Sequence, residues 1–481
     1  MLNSSVFRRR RERLAQRIPE GVVVLGGHRQ LPINLPMNLS PKRQGSHILY
    51  LTGLHVTDSA ILFCPETGRL EMFGPAADPD DEIWHGPKPS FADVAENLGA
   101  DAAYPLSELE ARVEYFLGRL GGTLHTLPSA DPDWQTRMKG LGTELPPFGA
   151  LPRTADVPLA DALIALRSIH GPEEIEEMRT AGALTAEAFK VAMAATQVGG
   201  TEAQLRGLIE GIYRAAGVRT SYDPIVTVRG EVLHCESNPY RLESNDLLLV
   251  DSGCESPNGY AADVTRTWPT RGTFDARQRA IYEIVLEAEL QCIERIQVGT
   301  EYQSVHLHAA AVIAEGLKDL GILRGSVSDL VDNDAHALFF PHGVGHLIGL
   351  DVHDIEDFGD RAGYAPGRER SARFGLAALR LNRRLEADMA VTIEPGIYFI
   401  PGLLNRPEIR EQYRQWVDFE RASSFLGFGG IRIEDDILVT DDGPEVLTPG
   451  IPRTIEEVEA ITGSSPDLLG AIARFQPITG E

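Results

Sequence analysis

The sequence predicts an α+β protein of two domains, an amino-terminal α/β domain with a mixed sheet and a larger carboxy-terminal domain built on an internal repeat. Three observations predict it. Short apolar runs alternate with helical patterns over roughly the first 150 residues, as in an α/β unit. Asp246-Leu-Leu-Leu-Val-Asp251 and Asp388-Met-Ala-Val-Thr-Ile-Glu394 are apolar strands that each end in an acid, and each is followed by a second acid-bearing strand, Tyr260–Trp268 and Gly430–Val439. A chain of 481 residues also exceeds a single typical domain. We place the boundary near residues 155–170, with domains expected at 1–160 and 161–465 and a tail at 466–481.

In chain order, residues 4–18 read as a helix, and its run Arg8-Arg9-Arg10-Arg11 reads as a solvated face in a mixed-charge context. Gly21–Gly26, His47–Thr52, Ser59–Cys64 and Arg69–Phe73 are apolar runs of strand length, with Glu66-Thr67-Gly68 as a hairpin turn. Helical patterns follow at 90–98 and 106–118. Pro172-Glu-Glu-Ile-Glu-Glu177 opens a long helix, with proline in the first turn and acids where the helix dipole favours them. Its residues Ile175, Met178, Gly182, Ala186, Phe189 and Met193 form one stripe, read as core packing. A second helix covers 201–215.

The strands Asp246–Asp251 and Tyr260–Trp268 make a hairpin. A loop centred on Pro257, wider than a minimal Asn258-Gly259 turn, would set Asp251 directly opposite Asp263 on one face. Helices are expected at 274–296 and 301–321. The connection Phe399–Gly429, about thirty residues, is long for a loop and reads as a lid or an oligomer contact.

A formal charge of -25 repels phosphate backbones and anionic lipid, so nucleic acid is excluded as a partner. No apolar run approaches the roughly 20 residues that span a bilayer, which excludes a membrane protein. Cys64, Cys235, Cys254 and Cys292 are too scattered for a zinc ribbon and read as reduced thiols. The residues after the arginine run form no apolar signal core, so a cytoplasmic location is expected.

The stretch Phe339-Phe-Pro-His342-Gly-Val-Gly-His346-Leu-Ile-Gly-Leu-Asp-Val-His353-Asp354 places three of thirteen histidines within twelve residues. Pro341, Gly343 and Gly345 oppose a helix, so the His342/His346 spacing is not that of a helical zinc protease. Asp251, Asp263, His346, Glu394 and Glu434 bring four carboxylates and one imidazole from five strand or loop positions. Such a set cannot sit together ionised without cations, and two divalent ions would neutralise it. The oxygen-rich set favours a hard ion such as Mn²⁺, and two such ions would make a bridging water hydroxide-like near neutral pH. Hydrolysis is the chemistry implied.

From about residue 165 to 460 the sequence resembles the pita-bread metallopeptidases, which include methionine aminopeptidase, aminopeptidase P and prolidase. The first domain resembles the amino-terminal domain of the last two. Asp251 in Val-Asp-Ser-Gly, Asp263 in Ala-Asp-Val-Thr, His346 in His-Gly-Val-Gly-His, Glu394 in Ile-Glu-Pro-Gly and Glu434 in Arg-Ile-Glu-Asp-Asp match that family's metal ligands in order. The resemblance implies that Asp251 holds one metal, His346 and Glu394 the other, that Asp263 and Glu434 bridge, and that Glu394 handles the proton of the bridging water. It makes His342 and His353 substrate-side histidines that stabilise the tetrahedral intermediate and contact the scissile peptide, and His234 and Arg432 further substrate-site residues. The implied substrates are small peptides with proline at the second position, and the implied assembly is a homodimer. Motifs such as Phe428-Gly-Gly-Ile-Arg-Ile-Glu434 favour a long-form prolidase, with Arg380 clamping the free carboxylate of an Xaa-Pro dipeptide. The alternatives are an aminopeptidase P acting on longer Xaa-Pro peptides and, from another class, a non-catalytic pita-bread binding protein. Cys235, where tyrosine is commoner, and the short loop Val226–His234 depart from the family pattern near the first-residue pocket.

Overall fold

Strands Val22–Gly26 (β1), Ala60–Cys64 (β2), Arg69–Gly74 (β3), Ala102–Pro105 (β4) and Leu124–His125 (β5) form one sheet of order β4-β3-β2-β1-β5. The β1–β2 and β2–β3 pairings are antiparallel and β3–β4 and β1–β5 parallel, so the sheet is mixed. One of its faces buries Val22, Val24, Leu62 and Phe73 against Val113 and Phe116 of the helix Leu109–Leu120. This computed structural model describes residues 2–35, 37–76, 80–235 and 237–466, so all but the first residue of the expected 466–481 tail lies outside the described residues. The chain divides into two units, Met1–Ser168 with Ile355–Ala362, and Ile169–Asp354 with the chain from Gly363 onward.

Two expectations for the first unit are corrected. Ser46–Thr52 is a helix, not a strand, with Ile48–Thr52 buried. Periodicity cannot separate a short buried helix from a buried strand. Gly53 decides for the helix by closing it in the left-handed region, φ +70, with its N–H donated to the Leu49 carbonyl. The arginine run is also only half solvated. Arg8 and Arg9 are exposed, whereas Arg10 and Arg11 are buried and donate to the Tyr50 and Leu51 carbonyls at 2.9 and 2.8 Å. These are the orphan carbonyls of the helix end, which a cation satisfies well.

In the second unit, helices Pro172–Ala195 and Glu202–Ala215 pack together and lead into Ile225–Thr227 (β6), Leu247–Ser252 (β7) and Val264–Pro269 (β8), a sheet of order β6-β7-β8. The plan then repeats. Helices Ala276–Glu294 and Tyr302–Asp319 pair and precede Ala390–Ile393 (β9), Gly396–Tyr398 (β10), Gly430–Arg432 (β11), Asp435–Thr440 (β12) and Gly443–Val446 (β13). These give sheets of order β13-β12-β9 and β10-β11. The repeat of helix pair and three-stranded sheet is the pita-bread arrangement. The stripe Ile175, Met178, Gly182, Ala186, Phe189 and Met193 is buried as expected. A Cβ on Gly182 would lie 2.3 Å from the Leu447 carbonyl oxygen, so a strand-end backbone crosses the helix there.

Several details differ from the sequence reading. The hairpin pairs Asp251 with Thr265 and Ser252 with Val264, so Asp251 and Asp263 sit on a diagonal of one face rather than directly opposite. The turn is the wider kind, with Ser256 N–H bonded to the Tyr260 carbonyl, but it centres on Asn258 and not Pro257. The strand read as Gly430–Val439 is broken at Ile433–Glu434, where β11 leaves for β10 and β12 joins β9. The 399–429 connection carries three short helices and is fixed to the body of the unit. Phe399, Phe425 and Phe428 cluster with centroids 4.6–5.9 Å apart, and Val417 bridges to Leu323. A mobile lid would lack such anchoring.

Candidate metal centre and active site

Strand alternation builds the first wall. Asp251 at the end of β7, and Asp263 and Thr265 on the chain entering β8, project to one face of the hairpin. Gly253 allows the close crossing there: a Cβ would lie 1.7 Å from the Ala262 carbonyl oxygen. The second wall comes from Glu394, just after β9, and from Glu434 at the break between β11 and β12, which bridges to Thr265. His346 arrives on the glycine-relieved loop. Its N–H is donated to Thr392 Oγ1, and Leu347 bridges to Val391 of β9. Gly345, at φ +155 with a Cβ position 2.1 Å from the Thr392 carbonyl oxygen, admits no side chain.

Ligand atoms of Asp263, His346 and Glu434 all lie within 4.8 Å of one another. His346 Nε2 is 3.4 Å from Asp263 Oδ2 and 3.9 Å from Glu394 Oε1. Its Nδ1 donates to the Leu347 carbonyl at 2.9 Å, which turns Nε2 toward the carboxylates. Asp251 is tied to Asp263 through Tyr222, whose hydroxyl is 2.6 Å from Oδ1 of each. All five sequence-selected acids and imidazole therefore converge.

The electrostatics are those of a crowded anionic site. Burial, then its acidic neighbours, raise the Glu434 carboxyl well above the ordinary range. Burial likewise pushes Glu394 up to about 7, against the pull of His346 and Arg432. Burial pushes the His346 imidazole down, but Asp263 and Glu394 overcome it and hold it at about 9. Arg432 is the guanidinium that touches this cluster, donating to Asp251 Oδ2 at 2.5 Å, Tyr398 Oη at 3.0 Å and Thr265 Oγ1 at 2.9 Å. Arg432 and a protonated His346 do not balance four carboxylates, whereas two divalent ions would. The donor set, oxygen-rich with one imidazole whose Nε2 faces the carboxylates, fits such ions.

The accessory residues are placed around this centre. His342 Nδ1 donates to the Gly343 carbonyl at 2.8 Å, so its Nε2, 2.9 Å from Tyr398 Oη, accepts the tyrosine proton. Burial first, then Arg432, pushes the His342 imidazole down to about 3, with His234 and His306 adding to it. His342 is therefore a neutral group. His353 stacks on His346, with centroids 3.8 Å apart and 18° between planes. His234 is exposed, near enough to His342 to act on its charge. Arg380 is exposed, and its backbone nitrogen lies 3.5 Å from the Cβ position of Gly343, beside His342.

Sequence reasoning missed Tyr222, Tyr398 and Thr265. Thr265 was available from its two-residue spacing to Asp263, which puts both on one strand face. Thr265 Oγ1 donates to Glu434 Oε2 at 2.7 Å. Tyr222 and Tyr398 carry no such local signal, since each reaches its partners only through the fold.

Residues 176–441 match metallopeptidase family M24, and residues 7–124 match the aminopeptidase P amino-terminal domain. The Xaa-Pro aminopeptidase of Escherichia coli is 32% identical over 464 residues, covering 95% of this chain and 97% of that protein. A probable Xaa-Pro aminopeptidase of Phaeosphaeria nodorum is 31% identical over 428 residues, 88% of each chain. The structure of Pseudomonas aeruginosa aminopeptidase PepP superposes with a TM-score of 0.78 at 29% identity, covering 98% of this chain and 99% of that one. The fold, the assembled acids and histidine, and these matches together identify the chain as a member of metallopeptidase family M24.

Proposed function

We propose that this protein is a dinuclear-metal Xaa-Pro aminopeptidase, releasing the amino-terminal residue from peptides with proline at the second position. The observation that carries this reading is the joint match: the relatives named Xaa-Pro aminopeptidase align over nearly the whole chain, both domains included. They favour the aminopeptidase over the dipeptidase that the sequence motifs suggested.

In this reading Asp251, Asp263, His346, Glu394 and Glu434 hold two divalent cations, with Mn²⁺ favoured by the oxygen donors. Bound there, the cations supply a hydroxide-like nucleophile and polarise the scissile carbonyl. Glu394 takes the proton of the attacking water. His342, kept neutral by burial and oriented by Tyr398, and His353, stacked on His346, face the substrate. The leaving proline nitrogen is a secondary amine and needs a proton, which the carboxyl of Glu394 can return. Arg432 holds Asp251 and Tyr398 in place. A homodimer in the cytoplasm completes the proposal. Its support is the family resemblance; among the described residues no helix is long and apolar enough to cross a membrane.

The test is a Mn²⁺-supplemented assay comparing an Xaa-Pro dipeptide with a tripeptide sharing its first two residues, on wild type and Arg380→Ala. Preferential tripeptide cleavage that is indifferent to Arg380 is the expected result. Dipeptide-only cleavage that collapses in the variant would restore the dipeptidase reading.

A further inference from the structure

Glu202 opens the helix Glu202–Ala215, and it is fully buried. A buried carboxylate is costly unless its oxygens are bonded. Here they accept from two separate points of the chain, Oε1 from the Val228 N–H at 2.8 Å and Oε2 from the Tyr240 N–H at 3.1 Å. Glu202 also donates its own N–H to the Tyr240 carbonyl at 3.2 Å. Val228 directly follows β6, and His234 stands midway between the two gripped residues, six from each. One carboxylate therefore holds the chain on both sides of that histidine. Capping the helix does not require it. Thr201 accepts from the Gln204 N–H, and the Gln204 side chain accepts from the Thr201 N–H in return.

The stretch so held is fitted to the site. On the Val228 side Gly230 and Gly430 meet backbone to backbone, each with a Cβ position 2.7 Å from the other's carbonyl oxygen. This turn thus rests on the first residue of β11, two residues before Arg432. Beyond His234, Cys235 is buried in one cluster with Ile225, Leu249 and Tyr398, the tyrosine that orients His342. Asn238 secures the return: its Nδ2 donates to the Val226 carbonyl at 2.6 Å, and its Oδ1 accepts from Arg206 of the same helix at 3.1 Å. His234 itself is exposed. A side chain so placed takes its position from the backbone that carries it.

We propose that Glu202 is a positioning residue for substrate binding, its carboxylate fixing the chain on both sides of His234 and so setting where that imidazole meets the substrate. The inference rests on the reading of His234 as a substrate-site residue. The demand for glutamate follows from the two N–H groups it serves. Glutamine keeps the shape, but its amide has one acceptor oxygen and turns an NH₂ toward the second N–H. Aspartate keeps both acceptors and loses one methylene of reach.

The test uses full-length, metal-loaded protein with an Xaa-Pro dipeptide and tripeptide side by side, so that it does not depend on which is preferred. Glu202→Gln, Glu202→Asp, His234→Ala and each Glu202 change on the His234→Ala background are compared in kcat, KM, Mn²⁺ affinity and melting temperature. Glu202→Gln should lose about 10- to 100-fold in kcat/KM, the range a misplaced group commands, with Mn²⁺ affinity unchanged. The loss should divide between kcat and KM as it does in His234→Ala, and on that background it should cost nothing further. Glu202→Asp is read in the same way should Glu202→Gln not fold. A kcat/KM near wild type in the Glu202 variants, while His234→Ala is impaired, would overturn the inference. Equal losses on both backgrounds would also overturn it, since a general defect acts whether or not the imidazole is there. Failure of both Glu202 variants to fold would assign Glu202 to the fold rather than to the site, with the same result. If His234→Ala leaves kcat/KM intact, the reading of His234 fails and takes the inference with it; if wild type cleaves neither peptide, the proposed function itself fails, and the inference falls with it.

Discussion

Replacing Tyr222 by Phe removes one oxygen and leaves the ring that fills the space. That oxygen is 2.6 Å from Asp251 Oδ1 and from Asp263 Oδ1, within the short range of O–H···O⁻ bonds. A hydrogen bond to a charged group contributes about 1.5–3 kcal/mol. At about 1.4 kcal/mol per tenfold, the variant should bind divalent metal about 10- to 100-fold more weakly. The same range is typical when a group that orients a metal ligand is lost. The assay is calorimetric titration of metal-stripped protein with Mn²⁺, repeated in competition with a chelator, with circular dichroism to show that the fold is kept. An affinity within about twofold of wild type would refute the reasoning, because the two carboxylates would then hold their positions without the phenol.

Tyr398→Phe breaks the chain Arg432 to Tyr398 to His342, and kcat should fall about 100-fold with metal content unchanged; steady-state kinetics and metal analysis check it. Gly253→Ala places a methyl 1.7 Å from the Ala262 carbonyl oxygen and should destabilise the protein by about 3 kcal/mol or more, read as a shift in the urea midpoint. His306 and His336 are both buried, which pushes each imidazole down to about 4. The unfolded chain therefore binds these protons first as pH falls. The stability they contribute is complete above about pH 6.5 and is lost as pH drops toward 4, by on the order of 3 kcal/mol each, and denaturant titrations at pH 7 and pH 5 should show the onset.

The amino acids that hold this site announced themselves because strand chemistry is local. An apolar run ending in an acid beside glycine, as at Asp251 and Glu394, is visible in six residues, and alternation then assigns a face. The exact partner across the hairpin was not visible, since one shift of turn centre from Pro257 to Asn258 moves Asp263 from opposite Asp251 to its diagonal. Ser46–Thr52 was misread for a different reason. Its apolar run Ile48-Leu49-Tyr50-Leu51 suits a buried strand and a buried helix equally, and the glycine at 53 that settles the matter carries its information in a dihedral angle. Arg432 came from the family resemblance, whereas Tyr222 and Tyr398 become functional only when segments far apart in sequence meet.

Arg10 and Arg11 bear on how this protein is read by others. A block of four consecutive arginines is an address that a transport receptor can recognise in an extended chain, but here two of the four are committed to the carbonyls of Tyr50 and Leu51. Once the helix Ser46–Thr52 has docked, the legible signal shrinks to Arg8 and Arg9. Any receptor that needs all four must win them during synthesis, before the helix Ser46–Thr52 leaves the ribosome and folds over them.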